Sequence, residues 1–184
     1  MTQQKKSVLQ ELLYLESIVY EIENAKTLEE LDTIYLEISE NVLFKKSKTS
    51  SASSKKTSRH AKPTYLTYTI GDYTLYVGKT NLQNDELTCK IARANDIWFH
   101  TKDIHGSHCI LQLPAGMPAP DQQTILSCAR IAAYYSKGKH SSSVPVDYCL
   151  VKFVHKPNGA KPGMVIYKHH KTVYVTPALP HKKT

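Results

Sequence analysis

The stretch Asp96-Ile97-Trp98-Phe99-His100-Thr101-Lys102-Asp103-Ile104-His105-Gly106-Ser107-His108 contains the chain's single tryptophan, three histidines, two aspartates, a lysine and a glycine. Its first half reads as a strand over Ile97–Thr101. Successive side chains of a strand point to opposite sides of a sheet, so Ile97 and Phe99 would face a core while Asp96, Trp98, His100 and Lys102 share the other side. His105-Gly106 marks a turn, and 108–113 a second strand.

Outward from this pair the same alternation recurs. Residues 65–69 and 74–77 read as strands around a hairpin turn at Gly71-Asp72. Asn84-Asp85 looks like a cap before a short helix through Ala92. Asp121 can cap a helix whose small apolar face runs Ile125, Ala129, Ala132 and Ala133. Residues 146–155, 164–167 and 172–175 read as further strands, with turns at Pro157-Asn158-Gly159 and His169-His170. The class expected is α+β: a mainly antiparallel sheet with helices packed on one face, spanning residues 63–177 and followed by a tail at 178–184.

Two other segments precede this body. Over residues 1–44, Val8, Leu12, Leu15, Val19 and Ile22 recur at spacings of 4, 3, 4 and 3, the seam of a coiled coil or helical hairpin. Thr27-Leu28-Glu29-Glu30 matches a capping box, after which Leu28, Leu31, Tyr35, Ile38 and Val42 repeat the spacing in a second helix. So short a seam is marginal alone and reads as the stump of a longer one. Residues 45–62, KKSKTSSASSKKTSRHAK, carry seven Lys/Arg and almost no apolar residue. They are expected to form a basic flexible linker, or an arm that touches phosphates.

Charge divides along the same boundary. Residues 1–44 hold three Lys against nine Asp/Glu, a net of −6, whereas residues 45–184 hold 21 Lys/Arg against seven Asp/Glu, a net of +14. Such a split suggests an acidic element attached to a body that meets a polyanion. No stretch approaches the roughly 18 apolar residues of a membrane span, and the N-terminus carries no export signal. A cytoplasmic setting is expected, with no membrane partner. The four cysteines, Cys89, Cys109, Cys128 and Cys149, form no CxxC pair and read as reduced, mostly buried thiols.

The face of Asp96, Trp98, His100 and Lys102 offers a stacking ring, a cation and hydrogen-bonding groups together. That mixture suits RNA, which proteins read by stacking on aromatics and by polar contacts to phosphate and 2′-OH. The bland alternative makes Trp98 core, with the His/Asp pairs merely cross-linking strands. A metal site using His100, His105, His108 and Cys109 is the weaker reading, since the spacing matches no common zinc pattern. A ribonuclease-like acid–base pair of His100 and His108 lacks any further partner. No metal, no cofactor and no complete active site are therefore expected. Gly78-Lys79-Thr80-Asn81-Leu82-Gln83-Asn84-Asp85 could hold a phosphate between a strand and a helix, or be a structural turn. The segment 152–163 alternates lysines with turn residues.

Together these stretches resemble the signature of the NFACT-R domain. The resemblance rests on Gly78-Lys79-x-Asn81-x-Gln83-Asn84-Asp85, on the Asp96–His108 stretch, and on Ala132-Ala133-Tyr134-Tyr135-Ser136-Lys137. Val146-Asp147-Tyr148 and Lys156-Pro157-x-Gly159-Ala160-Lys161-Pro162-Gly163 follow in the family's order. The preceding helices look like the end of the coiled coil of the NFACT family's bacterial members. Two positions depart from the pattern: His105 stands where proline is usual, and Thr80 where asparagine is common. The resemblance implies an RNA-binding module contacting tRNA or rRNA, in a factor that binds obstructed large ribosomal subunits, recruits alanyl-tRNA and promotes C-terminal alanine tailing. It implies RNA-contacting roles for Lys79, Asn81, Gln83, Asn84, Asp85, Asp96, Trp98, His100, Lys102, Asp103, Gly106, Ser107, His108, Lys137, Lys156 and Lys161. An older family label points instead to a surface adhesin that binds fibronectin.

Overall fold

The computed structural model describes residues 3–43 and 65–180, so the expected linker and the last residues of the tail lie outside the described part. The body contains a six-stranded sheet in the order β1-β2-β4-β3-β5-β8, with every neighbouring pair antiparallel. The strands are β1 (Leu66–Ile70), β2 (Tyr73–Val77), β3 (Ile97–Thr101), β4 (Cys109–Gln112), β5 (Val144–Leu150) and β8 (Lys171–Val175). A small second sheet pairs β6 (Val154–His155) with β7 (Ile166–Tyr167). Gly71, at φ +59°, closes the β1–β2 hairpin where Ile70 opposes Tyr73.

Period-two alternation sorts the side chains as expected, but both sides of the sheet are covered. On one side Leu75, Val77, Phe99, Leu111 and Val146 pack with Ile125, Ala129 and Ala132 of helix α4 (Gln122–Tyr134) in one buried cluster. Asp121 caps that helix by accepting from the Thr124 amide at 2.7 Å. On the other side Trp98, Ile110 and Cys149 form a second buried cluster with Leu87 and Val151, and Val165 and Tyr167 pack over it. The expectation of helices on one face is corrected by these elements. The polar face read from the sequence lies beneath the β6–β7 hairpin and the helix after β2.

That helix, α3 (Asn81–Glu86), continues into a π-helical turn over Leu87–Ile91. It starts earlier than expected, because Thr80 rather than Asn84-Asp85 caps it. Thr80 Oγ1 accepts from the Gln83 amide at 3.2 Å while Gln83 Oε1 accepts from the Lys79 amide, one residue before the cap, at 3.0 Å.

The N-terminal residues form the expected pair of helices, α1 (Gln3–Asn24) and α2 (Leu28–Ile38), the second continued by a π-helical turn over Ser39–Leu43. Thr27 caps α2 through the Glu30 amide, and Glu30 Oε2 reaches back to the Lys26 amide at 2.7 Å. The buried seam is not the expected one. Tyr14, Ile18 and Ile34 are buried and pack with Met164 of the body, whereas Val8, Leu12, Leu15, Val19, Ile22, Leu28, Leu31 and Tyr35 are exposed. Each helix carries a second stripe at the same spacing, Tyr14-Ile18-Glu21 and Glu30-Ile34-Glu37, and these stripes face inward. Their carboxylates hide them from an apolar pattern, although each finds polar company against the body.

Candidate nucleic-acid interface

A cleft of about 450 Å³ opens between α1 and the body, and most of the sequence motif lines it: Lys79, Asn81, Asn84, Trp98, His100, Asp103 and the Gly106-Ser107-His108 turn. α1 forms the opposite wall through Leu13, Tyr14, Ser17, Tyr20 and Glu21. The motif residues converge, as the sequence suggested, and many of them are already engaged within the molecule.

Trp98 is fully buried. Its ring packs against Tyr167 at 4.7 Å, stacks on His100 at 5.7 Å and meets the edge of His108 at 5.3 Å. Among the described residues the indole N–H has no hydrogen-bond partner. In this arrangement Trp98 is core and offers no surface for a base, which corrects the stacking face drawn from strand alternation. Asp96 is buried too. Its two oxygens accept from the amides of Arg93 at 2.8 Å and Leu113 at 2.9 Å, tying the start of β3 to the end of β4.

His100 and His108 sit where desolvation disfavours their charged forms. Burial pushes His100 down to about 4, against the hydrogen bonds to the Gly106 and Thr101 backbone that favour its charged form. Burial and the neighbouring His100 hold His108 well below the ordinary range. His108 Nδ1 shares a hydrogen bond with Thr88 Oγ1 at 2.8 Å, and its backbone amide donates to Asn84 Oδ1 at 3.0 Å. Ser107 is buried, its amide donating to the Tyr135 carbonyl at 2.8 Å. Gly106 bridges to Ser136, and a Cβ there would sit 2.8 Å from the Ser136 Cβ, so the turn has no room for a side chain. His105, where proline is usual, places Nε2 3.3 Å from Glu16 Oε2 of α1.

The polar residues of the Lys79–Asp85 stretch join elements together. Asn81 Nδ2 donates to Ser17 Oγ at 2.8 Å and to Glu37 Oε1 at 3.2 Å, and the same oxygen accepts from Tyr14 O–H at 2.7 Å. Lys79 pairs with Glu30 of α2. Asp85 holds the loop before β7, accepting from Lys156 Nζ at 2.5 Å and from the Gly163 amide at 3.3 Å. Lys161 donates to the Asn41 carbonyl at 2.6 Å and lies over the Tyr14 ring. By contrast Lys102, Asp103 and Lys137 are exposed, and Asp103 adopts a left-handed backbone at φ +55°.

Two carboxyls stand out where α1 and α2 meet the body. Burial, reinforced by the neighbouring Glu37, pushes Glu21 up to about 9 despite a hydrogen bond from the Asn81 backbone. Burial likewise raises Glu37, opposed by Tyr14 and Asn81. Each leaves one buried oxygen without a partner among the described residues. Sequence spacing gave no sign of these groups.

Cys109, Cys128 and Cys149 are buried, Cys89 is exposed, and all four are free thiols. Among the described residues no three His, Cys, Asp or Glu side chains come together in a way that could hold a metal ion. No helix among them is long and apolar enough to cross a membrane.

The architecture is that of a small α+β module with a basic body and an acidic helical hairpin. The sequence profile of the NFACT protein RNA binding domain matches residues 62–169, and the chain belongs to the NFACT family. It is 56% identical over 104 residues to the protein described as "Rqc2 homolog RqcH" of Bacillus subtilis, covering 56% of this chain and 18% of that protein. To the protein of the same name in Streptococcus suis it is 40% identical over 166 residues, covering 90% of this chain and 28% of that protein. The chain thus spans less than a third of these relatives. A more distant similarity, 27% over 106 residues, reaches half of "Coiled-coil domain-containing protein 25" of Mus musculus. Among solved structures, the C-terminal part of the fibronectin/fibrinogen-binding protein from Streptococcus suis superposes with a TM-score of 0.77 at 37% identity, covering 94% of this chain and 66% of that one.

Proposed function

We propose that this chain is the RNA-binding module of a ribosome-associated quality-control factor, one that engages tRNA or rRNA on obstructed large ribosomal subunits. The whole factor then promotes C-terminal alanine tailing with alanyl-tRNA. The observation that carries this reading is the match to the NFACT RNA-binding domain over residues 62–169, on a segment (45–184) whose net charge is +14. The RqcH-type relatives supply the ribosomal context.

In this reading the chain is a binder and not a catalyst, and it works in the cytoplasm. His108 is buried and His100 half-buried, and desolvation disfavours the charged form of both, so neither is poised to exchange a proton near pH 7. RNA cleavage that disappears in His100→Ala would overturn that part.

The test is the affinity of the chain for tRNA and for large ribosomal subunits, measured against salt. Phosphate contacts release counterions, so log affinity should fall linearly with log salt, and a flat dependence sinks the reading. A second reading is favoured by the name of the structural neighbour, a fibronectin/fibrinogen-binding protein. Co-sedimentation of the intact protein with large subunits supports the first. Recovery at the cell surface with salt-insensitive binding to fibronectin supports the second.

A further inference from the structure

Of the motif lysines, Lys79 and Lys156 are paired with Glu30 and Asp85, and Lys161 donates to the Asn41 carbonyl. An RNA strand needs cations that are not neutralised inside the protein. Such cations lie at the other end of the sheet. Lys102 and Lys168 are exposed, and among the described residues neither forms an ion pair. Lys168 precedes the edge strand β8 and Lys102 lies across β5 from it. β8 carries the most exposed aromatic ring of the body, Tyr174 at 72% accessible.

The register brings these groups together. Asp147 of β5 opposes His100 of β3 and Thr172 of β8, and one step outward Pro145 opposes Tyr174. Lys102, the residue after β3, donates its amide to the Pro145 carbonyl at 2.9 Å. Lys102, Pro145 and Tyr174 therefore form a row across three strands. Val173 and Val175 pack toward α4, so alternation turns the Tyr174 ring to the opposite side, the side of Trp98 and His100. Two strand spacings separate the backbones of Lys102 and Tyr174, about 10 Å, a gap that a lysine side chain can partly close. The β7–β8 turn, with His169 at φ +53°, sets His170 beside this row, its Nε2 3.8 Å from Asp147 Oδ2 and its ring against Tyr167. Asp103 is the exposed carboxylate next to Lys102.

We propose that this row is a platform for single-stranded RNA, with an unpaired base stacking on Tyr174 and the flanking phosphates held by Lys102 and Lys168. The inference rests on the RNA-binding reading and deepens it. It names a contact surface at the sheet edge whose stacking ring, Tyr174, lies beyond the segment that matches the family profile. An exposed ring on a strand beside unpaired lysines is the combination that grips a single strand without reading its sequence.

The experiment is fluorescence anisotropy of the whole chain with a labelled, unstructured oligoadenylate and with a duplex RNA of equal length, each over a range of salt. The expected result is tighter binding of the single strand, weakened about 5- to 150-fold by Tyr174→Ala and largely restored by Tyr174→Phe. Lys102→Gln should lower the slope of log affinity against log salt by about 1. Because Tyr174 is exposed, the variants should keep the parent Tm, which controls for folding. If the parent binds RNA with a steep salt slope but Tyr174→Ala and Lys102→Gln leave it unchanged, the platform is overturned while the RNA-binding function stands. That pattern would include the case in which this edge docks a protein. If the parent chain shows no salt-dependent RNA binding, both readings fall together.

Discussion

Trp98 lies beneath Tyr167, flanked by His100 and His108, with its indole N–H unpaired among the described residues. Removing so large a buried ring leaves a cavity as well as losing apolar contact, so Trp98→Ala should cost about 3–5 kcal/mol of stability in denaturant titrations. RNA affinity of the fraction that stays folded should not change. A stable Trp98→Ala variant with weakened RNA binding would return this residue to the interface. The sequence placed Trp98 correctly on the side opposite Phe99. Alternation says which way a side chain points, but nothing about what is laid over it. The cover comes from Val165 and Tyr167, nearly 70 residues along the chain, and no local pattern announces it.

The helical hairpin is the element whose docking the sequence described least well. Val8, Leu12 and Val19 drew attention by their apolar spacing, yet the stripe that meets the body contains Glu21, Glu30 and Glu37. A buried carboxyl is tolerated when it is protonated or well bonded, and that condition is set by partners outside the helix. Glu21, raised from its ordinary 4.5 to about 9, gives docking a definite pH dependence. A carboxyl whose value is raised in the docked state contributes fully below about 4.5, and that contribution is lost as pH climbs toward 9. Hydrogen-exchange protection of α1 should therefore decline between pH 5 and pH 9, and Glu21→Gln should flatten the decline. An unchanged pH profile in that variant would show that another group controls the contact. Asn81 joins α1 to α2 through Ser17 and Glu37. Asn81→Ala should expose α1 to limited proteolysis while leaving the sheet's unfolding transition nearly in place.

At the scale of the molecule, an acidic hairpin sits on a basic body, and one of its carboxylates already holds a motif lysine. Glu30→Gln should free Lys79 for phosphate and steepen the salt dependence of RNA binding by about 1 in slope. A slope that stays the same would mean Lys79 never reaches RNA. The charge split, most of the sheet strands, the Asp121 and Thr27 caps and the two-helix N-terminal segment were legible in the sequence, because each depends on local periodicity or on a short hydrogen-bonded pattern. The strand read over 146–155 is instead broken at Val151–Phe153, and its end pairs with β7 in a separate small sheet. The start of α3 was misplaced by a few residues, since Thr80 and Asn84 are both good caps and only the backbone decides between them. Tertiary structure alone decided which side of the sheet was covered, which helical stripe faced inward, which lysines were already paired and that Tyr174 was left in the open. Those outcomes depend on contacts between residues far apart in the chain, and their free energies are set by burial and by partners that no local pattern encodes.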